Sequence, residues 1–260
     1  MKAKNEWPAN PPRETAAVRV RAVLFDLGDT LVDLRDYDSW AEIARRFYLD
    51  LDPDILRHAF LEVEQAIDAE PHGLGREEGL VAFWRRTLSR AAEKEIDEST
   101  ARKFIAAIRE YEVPARLYSD ARRCLGILRA EHRALAVVSN STSEAAVRRI
   151  LDRVGILDYF ARIVSSGTEG VEKPDPEIFR RAVRRLDVRP EEALYVGNLA
   201  HTDAKAAEAA GLHGLWLNRE GFGYGEDPPE IMSLLEVPLM VHRLENPESV
   251  PRAAAPGGAR

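Results

Sequence analysis

Asp26 closes an apolar run, Val23-Leu24-Phe25, and opens the loop Leu27-Gly28-Asp29-Thr30. A carboxylate at the mouth of a loop can act as a nucleophile, splitting a hydrolysis into formation and breakdown of a covalent intermediate. Three further stretches carry groups that suit phosphoryl transfer, which asks a protein mainly for positioning and charge stabilisation. In Ser139-Asn140-Ser141-Thr142 the Ser139 hydroxyl can donate to a phosphoryl oxygen close to the start of a helix, where the dipole favours negative charge. In Glu172-Lys173-Pro174-Asp175-Pro176 the lysine can neutralise charge on a transferring group, and Pro174 stiffens the loop that places it. In Gly197-Asn198-Leu199-Ala200-His201-Thr202-Asp203 the last residue can join Asp26 in offering carboxylate oxygens to Mg²⁺. That cation takes oxygen ligands and keeps several waters, so one or two carboxylates with a carbonyl and a substrate phosphate suffice.

Each residue has a plain structural counterpart. Asp and Gly are ordinary turn residues, Ser139 suits a helix N-cap or loop hydroxyl, Lys173 suits a solvated surface, and Asp203 can cap the helix running to Ala210. Their common placement favours chemistry, because in open α/β sheets ligands bind beyond the carboxyl ends of the strands.

The elements that must position them are short apolar runs at Val18 to Phe25, Ala134 to Val138, Arg162 to Ser165, Ala193 to Val196 and Leu215 to Leu217, read as strands. Between the later ones lie helical periods: Ala146, Val147, Ile150, Leu151 and Val154 share a face, as do Ile178, Phe179, Ala182, Val183 and Leu186. Asp175-Pro176 has the form of an N-cap with proline at the first helical position, and Gly155 and Gly211 stand where helices end. Alternation of this kind specifies a parallel sheet covered on both faces. The span from 34 to 114 differs. It carries four helical periods, beginning at Tyr37, Pro53, Glu77 and Ser99, broken by Asp-Pro, by Pro71-His72-Gly73-Leu74-Gly75-Arg76 and by Asp97-Glu98.

The chain has 260 residues, 45% of them apolar, and a formal charge of -7 from 37 basic and 44 acidic side chains. That balance argues against a polyanion-binding surface. The most basic run, Arg180-Arg181-Ala182-Val183-Arg184-Arg185, reads as the solvated face of a helix. A single cysteine, Cys124, excludes an intrachain disulfide and any Cys-x-x-Cys metal site, and suits a reducing compartment. No apolar stretch has the form of a signal peptide or a membrane span, so the expectation is a cytoplasmic protein with no membrane and no nucleic-acid partner.

Taken together, the four loop stretches, from about Val20 to about Asn218, resemble the haloacid dehalogenase-like (HAD) hydrolase superfamily. The resemblance implies an α/β fold: a Rossmann-like parallel sheet core with helices on both faces plus an inserted helical cap. It divides the chain into a core of residues 17–33 and 115–245 and a cap of 34–114; the polar, Pro/Gly-containing ends 1–16 and 246–260 are expected to be disordered. It implies catalytic roles for Asp26, Ser139 and Lys173, substrate contacts at Gly28, Asp29, Asn140 and Lys173, and a Mg²⁺ site at Asp26, Gly28 (through its carbonyl), Asn198 and Asp203. The implied substrate is a small phosphorylated anion enclosed by the cap, where Trp84, Arg85 and Arg86 are candidates to reach it. The protein is expected to be a monomer or homodimer.

Two positions depart from the superfamily pattern. The first motif is usually D-x-D-G-T, with a second aspartate that protonates the leaving group and later activates water; here that place is Gly28. The last motif usually opens Gly-Asp and here reads Gly197-Asn198, which keeps an oxygen ligand but loses a charge. Asp29, next to the gap, is a candidate substitute acid. Loss of acid-base help also leaves room for 2-haloacid hydrolysis, whose halide departs without a proton, and for a catalytically impaired binding or regulatory protein.

Overall fold

The computed structural model describes residues 19–68, 77–111, 114–221 and 228–247. The segment Pro71 to Arg76 and the ends 1–16 and 248–260 lie outside the described residues. Asn246 does not: its N–H closes the last helix on the His242 carbonyl at 3.0 Å.

In chain order the elements are β1 (Ala22–Phe25), β2 (Val32–Asp33), α1 (Tyr37–Arg45), α2 (Pro53–Asp68), α3 (Glu77–Ala91), α4 (Glu98–Glu110), β3 (Arg116–Leu117), α5 (Ala121–Ala130), β4 (Ala134–Ser139) and α6 (Glu144–Arg153). They continue with β5 (Arg162–Ser165), α7 (Ser166–Glu169), α8 (Pro176–Leu186), β6 (Ala193–Gly197), a π-helical stretch Ala200–Lys205, α9 (Ala206–Ala209), β7 (His213–Leu217), β8 (Glu230–Ile231) and α10 (Val237–Glu245). The main sheet runs β5-β4-β1-β6-β7-β8 with parallel pairing throughout, while β2 and β3 form a small antiparallel ladder.

Alternation along β1 explains why it lies at the centre. Val23 and Phe25 enter one apolar layer with Leu125, Val147 and Val241, while Ala22 and Leu24 enter the opposite layer with Phe179, Val183 and Ala207. A strand buried on both faces reads as a continuous apolar run, as β1, β4 and β6 do. Because β1 is flanked by β4 on one side and β6 on the other, the chain leaves it at a topological switch point. The helix limits follow the local chemistry: Asp175 caps α8 by accepting from Glu177 N with Pro176 beside it, and Gly155 and Gly211 take left-handed φ values of 69° and 92° after their helices.

Helices α1 to α4 bury their apolar faces against one another. Trp40, Phe60, Trp84 and Phe104 meet edge-to-face, tilted or stacked at centroid separations of 4.9 to 5.7 Å, in a cluster separate from the two sheet layers. Trp84, a candidate for substrate contact by sequence, is enclosed in this cluster and points away from any such role.

Candidate active site

The carboxyl ends of β1, β4 and β6 and the loop before α8 surround one cavity of about 320 Å³. All eight site residues expected from the sequence line it: Asp26, Gly28, Asp29, Ser139, Asn140, Lys173, Asn198 and Asp203.

Lys173 is the centre of the arrangement. Its Nζ donates to Asp26 Oδ1 at 2.6 Å, to Asp203 Oδ1 at 2.6 Å and to the Tyr195 hydroxyl at 3.0 Å. An ammonium has three N–H groups, so all of them are used. Each of these residues is buried, Lys173 at 3% exposure and Asp203 at 1%. Burial alone would discharge such a lysine, but Asp203 and Asp26 outweigh it and hold its pKa above the ordinary value. Asp26 is pushed up to about 6, chiefly by burial, with the Lys173 ammonium opposing the rise. Burial, with Asp203 and Asp26 nearby, raises Tyr195 well above its usual range, so its hydroxyl stays protonated and can donate to Asp203 Oδ1 at 3.0 Å.

Backbone geometry fixes the lysine. Asn140 closes a two-point clamp on it, accepting from Lys173 N at 2.8 Å and donating Nδ2 to the Lys173 carbonyl at 2.9 Å. Asn140 thus supports the loop that carries the charge, a use of its side chain that the sequence alone did not show. Ser139 ends β4 and is 9% exposed at the cavity wall. The N-cap of α6 is Ser143, which accepts from Ala146 N, so the capping role open to Ser139 belongs elsewhere.

Asp203 lies inside the π-helical stretch, and its Oδ2 accepts from Leu199 N at 3.1 Å. Gly197 makes this approach possible: a Cβ there would fall 2.3 Å from Asp203 Cγ. Asn198 accepts from Thr30 Oγ1 at 3.4 Å through its side chain and from Trp216 Nε1 at 3.0 Å through its carbonyl.

Asp29 faces a different partner. It adopts φ 58°, and its Oδ2 lies 2.9 Å from Arg35 Nε, while Oδ1 is sealed from solvent. The other arm of Arg35 donates to Glu64 Oε2 of α2 at 2.7 Å. Glu64 reaches the same cavity as Asp26. One turn further along α2, Asp68 accepts from His201 N at 2.8 Å and Thr202 N at 2.9 Å, joining the helical segment to the stretch that holds Asp203. Arg35, Glu64, Asp68 and Tyr195 were not found by sequence reasoning. The spacing of Glu64 and Asp68, four apart on one helix face, and the hydroxyl of Tyr195 within an apolar strand were the available signals.

Asp26, Gly28, Asn198 and Asp203 all line one cavity and could offer a cation oxygen donors, Gly28 through its carbonyl. This chemistry fits a hard ion such as Mg²⁺. No group of three or more His, Cys, Asp or Glu side chains gathers for metal binding among the described residues, so waters and substrate would fill the remaining positions.

Comparison with known proteins places the chain in a family. Residues 20–211 match the family model of haloacid dehalogenase-like hydrolases. The chain belongs to that family. It is 28% identical over 211 residues to the glyceraldehyde 3-phosphate phosphatase of Pyrococcus furiosus, covering 80% of this chain and 82% of that one. To the phosphoglycolate phosphatase of Nitrosospira multiformis it is 30% identical over 223 residues, 82% and 88% of the two chains. Among solved structures, the magnesium-bound HAD-hydrolase YfnB of Bacillus subtilis superposes with a TM-score of 0.65 at 22% identity, covering 86% of this chain and 99% of that chain, a likeness of fold. This HAD member is therefore a hydrolase with a Rossmann-like core. No described helix is long and apolar enough to cross a membrane.

Proposed function

We propose that this HAD hydrolase is a Mg²⁺-dependent phosphatase that acts on a small phosphorylated metabolite through an aspartyl-phosphate at Asp26. The observation that carries the reading is the Asp26 carboxylate at the base of the cavity, its Oδ1 held 2.6 Å from the Lys173 ammonium. The phosphatase names of relatives that match over most of their length support the substrate class.

In this reading Asp26 attacks phosphorus. Lys173 keeps it ionised and oriented, and because its N–H groups are all engaged, it acts on the phosphoryl group through charge rather than by a new hydrogen bond. Ser139 donates to a phosphoryl oxygen from the end of β4, and Gly28 and Asp29 contribute to the wall that receives the substrate. Asp26, the Gly28 carbonyl, Asn198 and Asp203 would hold the cation, which when bound withdraws charge from the phosphoryl oxygens. Residues 34–114 act as a cap over the cavity, excluding water and bulk polymer.

Gly28 favours a second reading, 2-haloacid hydrolysis, because a departing halide needs no proton. Release of phosphate from an activated aryl phosphate, with and without Mg²⁺ and beside Asp26→Asn, decides between them. Turnover that requires Mg²⁺ and falls about 10³-fold or more in the variant is the expected result; metal-free halide release from 2-haloacids with no phosphate release would replace it.

A further inference from the structure

Gly28 leaves the leaving group without its usual acid, and the cavity contains a carboxyl group that the reaction described so far does not use. We propose that Glu64 of α2 is the general acid and base of this hydrolase, delivered from the helical segment instead of from the nucleophile loop. The inference rests on the phosphatase reading of the same site.

The geometry distinguishes Glu64 from Asp29, the nearer candidate in sequence. Both line the cavity with Asp26 and Gly28. Asp29, however, has Oδ2 against Arg35 Nε at 2.9 Å and Oδ1 buried without a hydrogen-bond partner, so its unpaired oxygen is the one shut off from solvent. Glu64 is engaged at one oxygen only, Oε2, by Arg35 at 2.7 Å. That contact aims the carboxyl group and leaves Oε1 to carry a proton. Arg35 is itself anchored by Asp29 and by the face of Phe60, 5.1 Å from the ring centroid, so the support does not depend on Glu64.

The charged and titratable groups that face Glu64 are Arg35 from the segment between β2 and α1, Asp29 from the nucleophile loop, Tyr37 from α1 and Asp68 from its own helix. Burial, the largest effect, raises Glu64 to about 7; Arg35 opposes the rise, and Asp29 and Asp68 add to it. An acid near neutrality can give up a proton and take it back at working pH.

The steps balance. As an Asp26 oxygen bonds to phosphorus, the bond to the ester oxygen breaks and the Glu64 proton passes to that oxygen, releasing the alcohol. Water then attacks phosphorus, Glu64 accepts its proton, and the bond to Asp26 breaks to release phosphate. Glu64 ends protonated, as it began.

The test compares Glu64→Gln with the native enzyme on an alkyl phosphate, whose leaving group needs a proton, and on an activated aryl phosphate, whose leaving group does not. Glutamine preserves an acceptor for Arg35. Glu64 also serves the second half-reaction, which both substrates share, so the readout is the first-turnover burst: alcohol release from the alkyl phosphate should fall by about 10²- to 10⁴-fold while phenol release from the aryl phosphate stays within a few-fold of native, with steady-state turnover of both slowed. The fall of the native alkyl rate above about pH 7 should also be lost. Gly28→Asp in the Glu64→Gln background should restore alkyl turnover, since a Cβ at Gly28 meets only Leu34 Cδ1 at 3.4 Å. Equal loss of the burst on both substrates, or no loss on either, overturns the assignment, as does a native enzyme that hydrolyses aryl but not alkyl phosphates. A native enzyme inert towards aryl phosphate would instead remove the phosphatase reading, and this assignment with it.

Discussion

A single ammonium, on Lys173, holds two buried carboxylates together. Its removal leaves Asp26 and Asp203 facing each other without compensation, and breaking a buried ion pair typically costs about 3–5 kcal/mol. Lys173→Met should therefore destabilise the protein by an amount of that order at neutral pH, besides abolishing turnover. Asp26 has a folded pKa raised from 3.8 to about 6, so the stability it contributes is present below its unfolded value and is lost as pH rises through about 6. In the variant its carboxyl must ionise without a partner, so the deficit should be larger at pH ~8 than at pH ~5 in urea titrations. A deficit independent of pH would show that Lys173 does not compensate Asp26. The residues of this cluster were legible because each ends or follows an apolar run. Tyr195 was not, since a buried tyrosine in a strand reads as core, and only the fold shows its hydroxyl reaching Lys173.

The helices and strands meet the site at α2. Asp68 caps the π-helical stretch through His201 N and Thr202 N, tying the inserted helices to the segment that places Asp203. Loss of a capping carboxylate costs about 0.5–2 kcal/mol. Asp68→Ala should raise the hydrogen-exchange rates of the His201 and Thr202 amides by about tenfold, following that cost; unchanged protection would mean the bonds do not hold the two parts together. The strands of the main sheet were legible down to β7 because burial on both faces makes them apolar throughout. Two-residue β2, β3 and β8 offer too few side chains for a period, and the π-helical stretch has the composition of an ordinary helix start. Glu64 and Asp68 carried no signal of their own, because a helix face turned towards another part of the chain has the same polar pattern as one turned towards water.

Across the whole molecule, the inserted helices have an apolar cluster of their own, and charged groups join them to the core. Arg57 with Glu220 at 2.6 Å is one, and Asp68 supplies another. Phe104, fully buried and packed on Trp84 at 4.9 Å, belongs only to the helical cluster. Phe104→Ala, made in a Trp216→Phe background so that Trp40 and Trp84 report on the helices, should cost about 3–5 kcal/mol and unfold the helical part first, seen as tryptophan fluorescence changing before the far-UV sheet signal in a denaturant titration. Coincident transitions would show that the two parts share one cooperative unit. The run of helices α1 to α4 was legible because the period changes from strand-helix alternation to helices alone after residue 34.

Acid quench during turnover of an aryl phosphate, followed by borohydride reduction and peptide mass spectrometry, examines the covalent step itself. An acyl phosphate at Asp26 is reduced to homoserine, so conversion at that residue, dependent on substrate, is the expected outcome. Phosphate released at full rate with residue 26 recovered only as aspartate would contradict a nucleophilic Asp26.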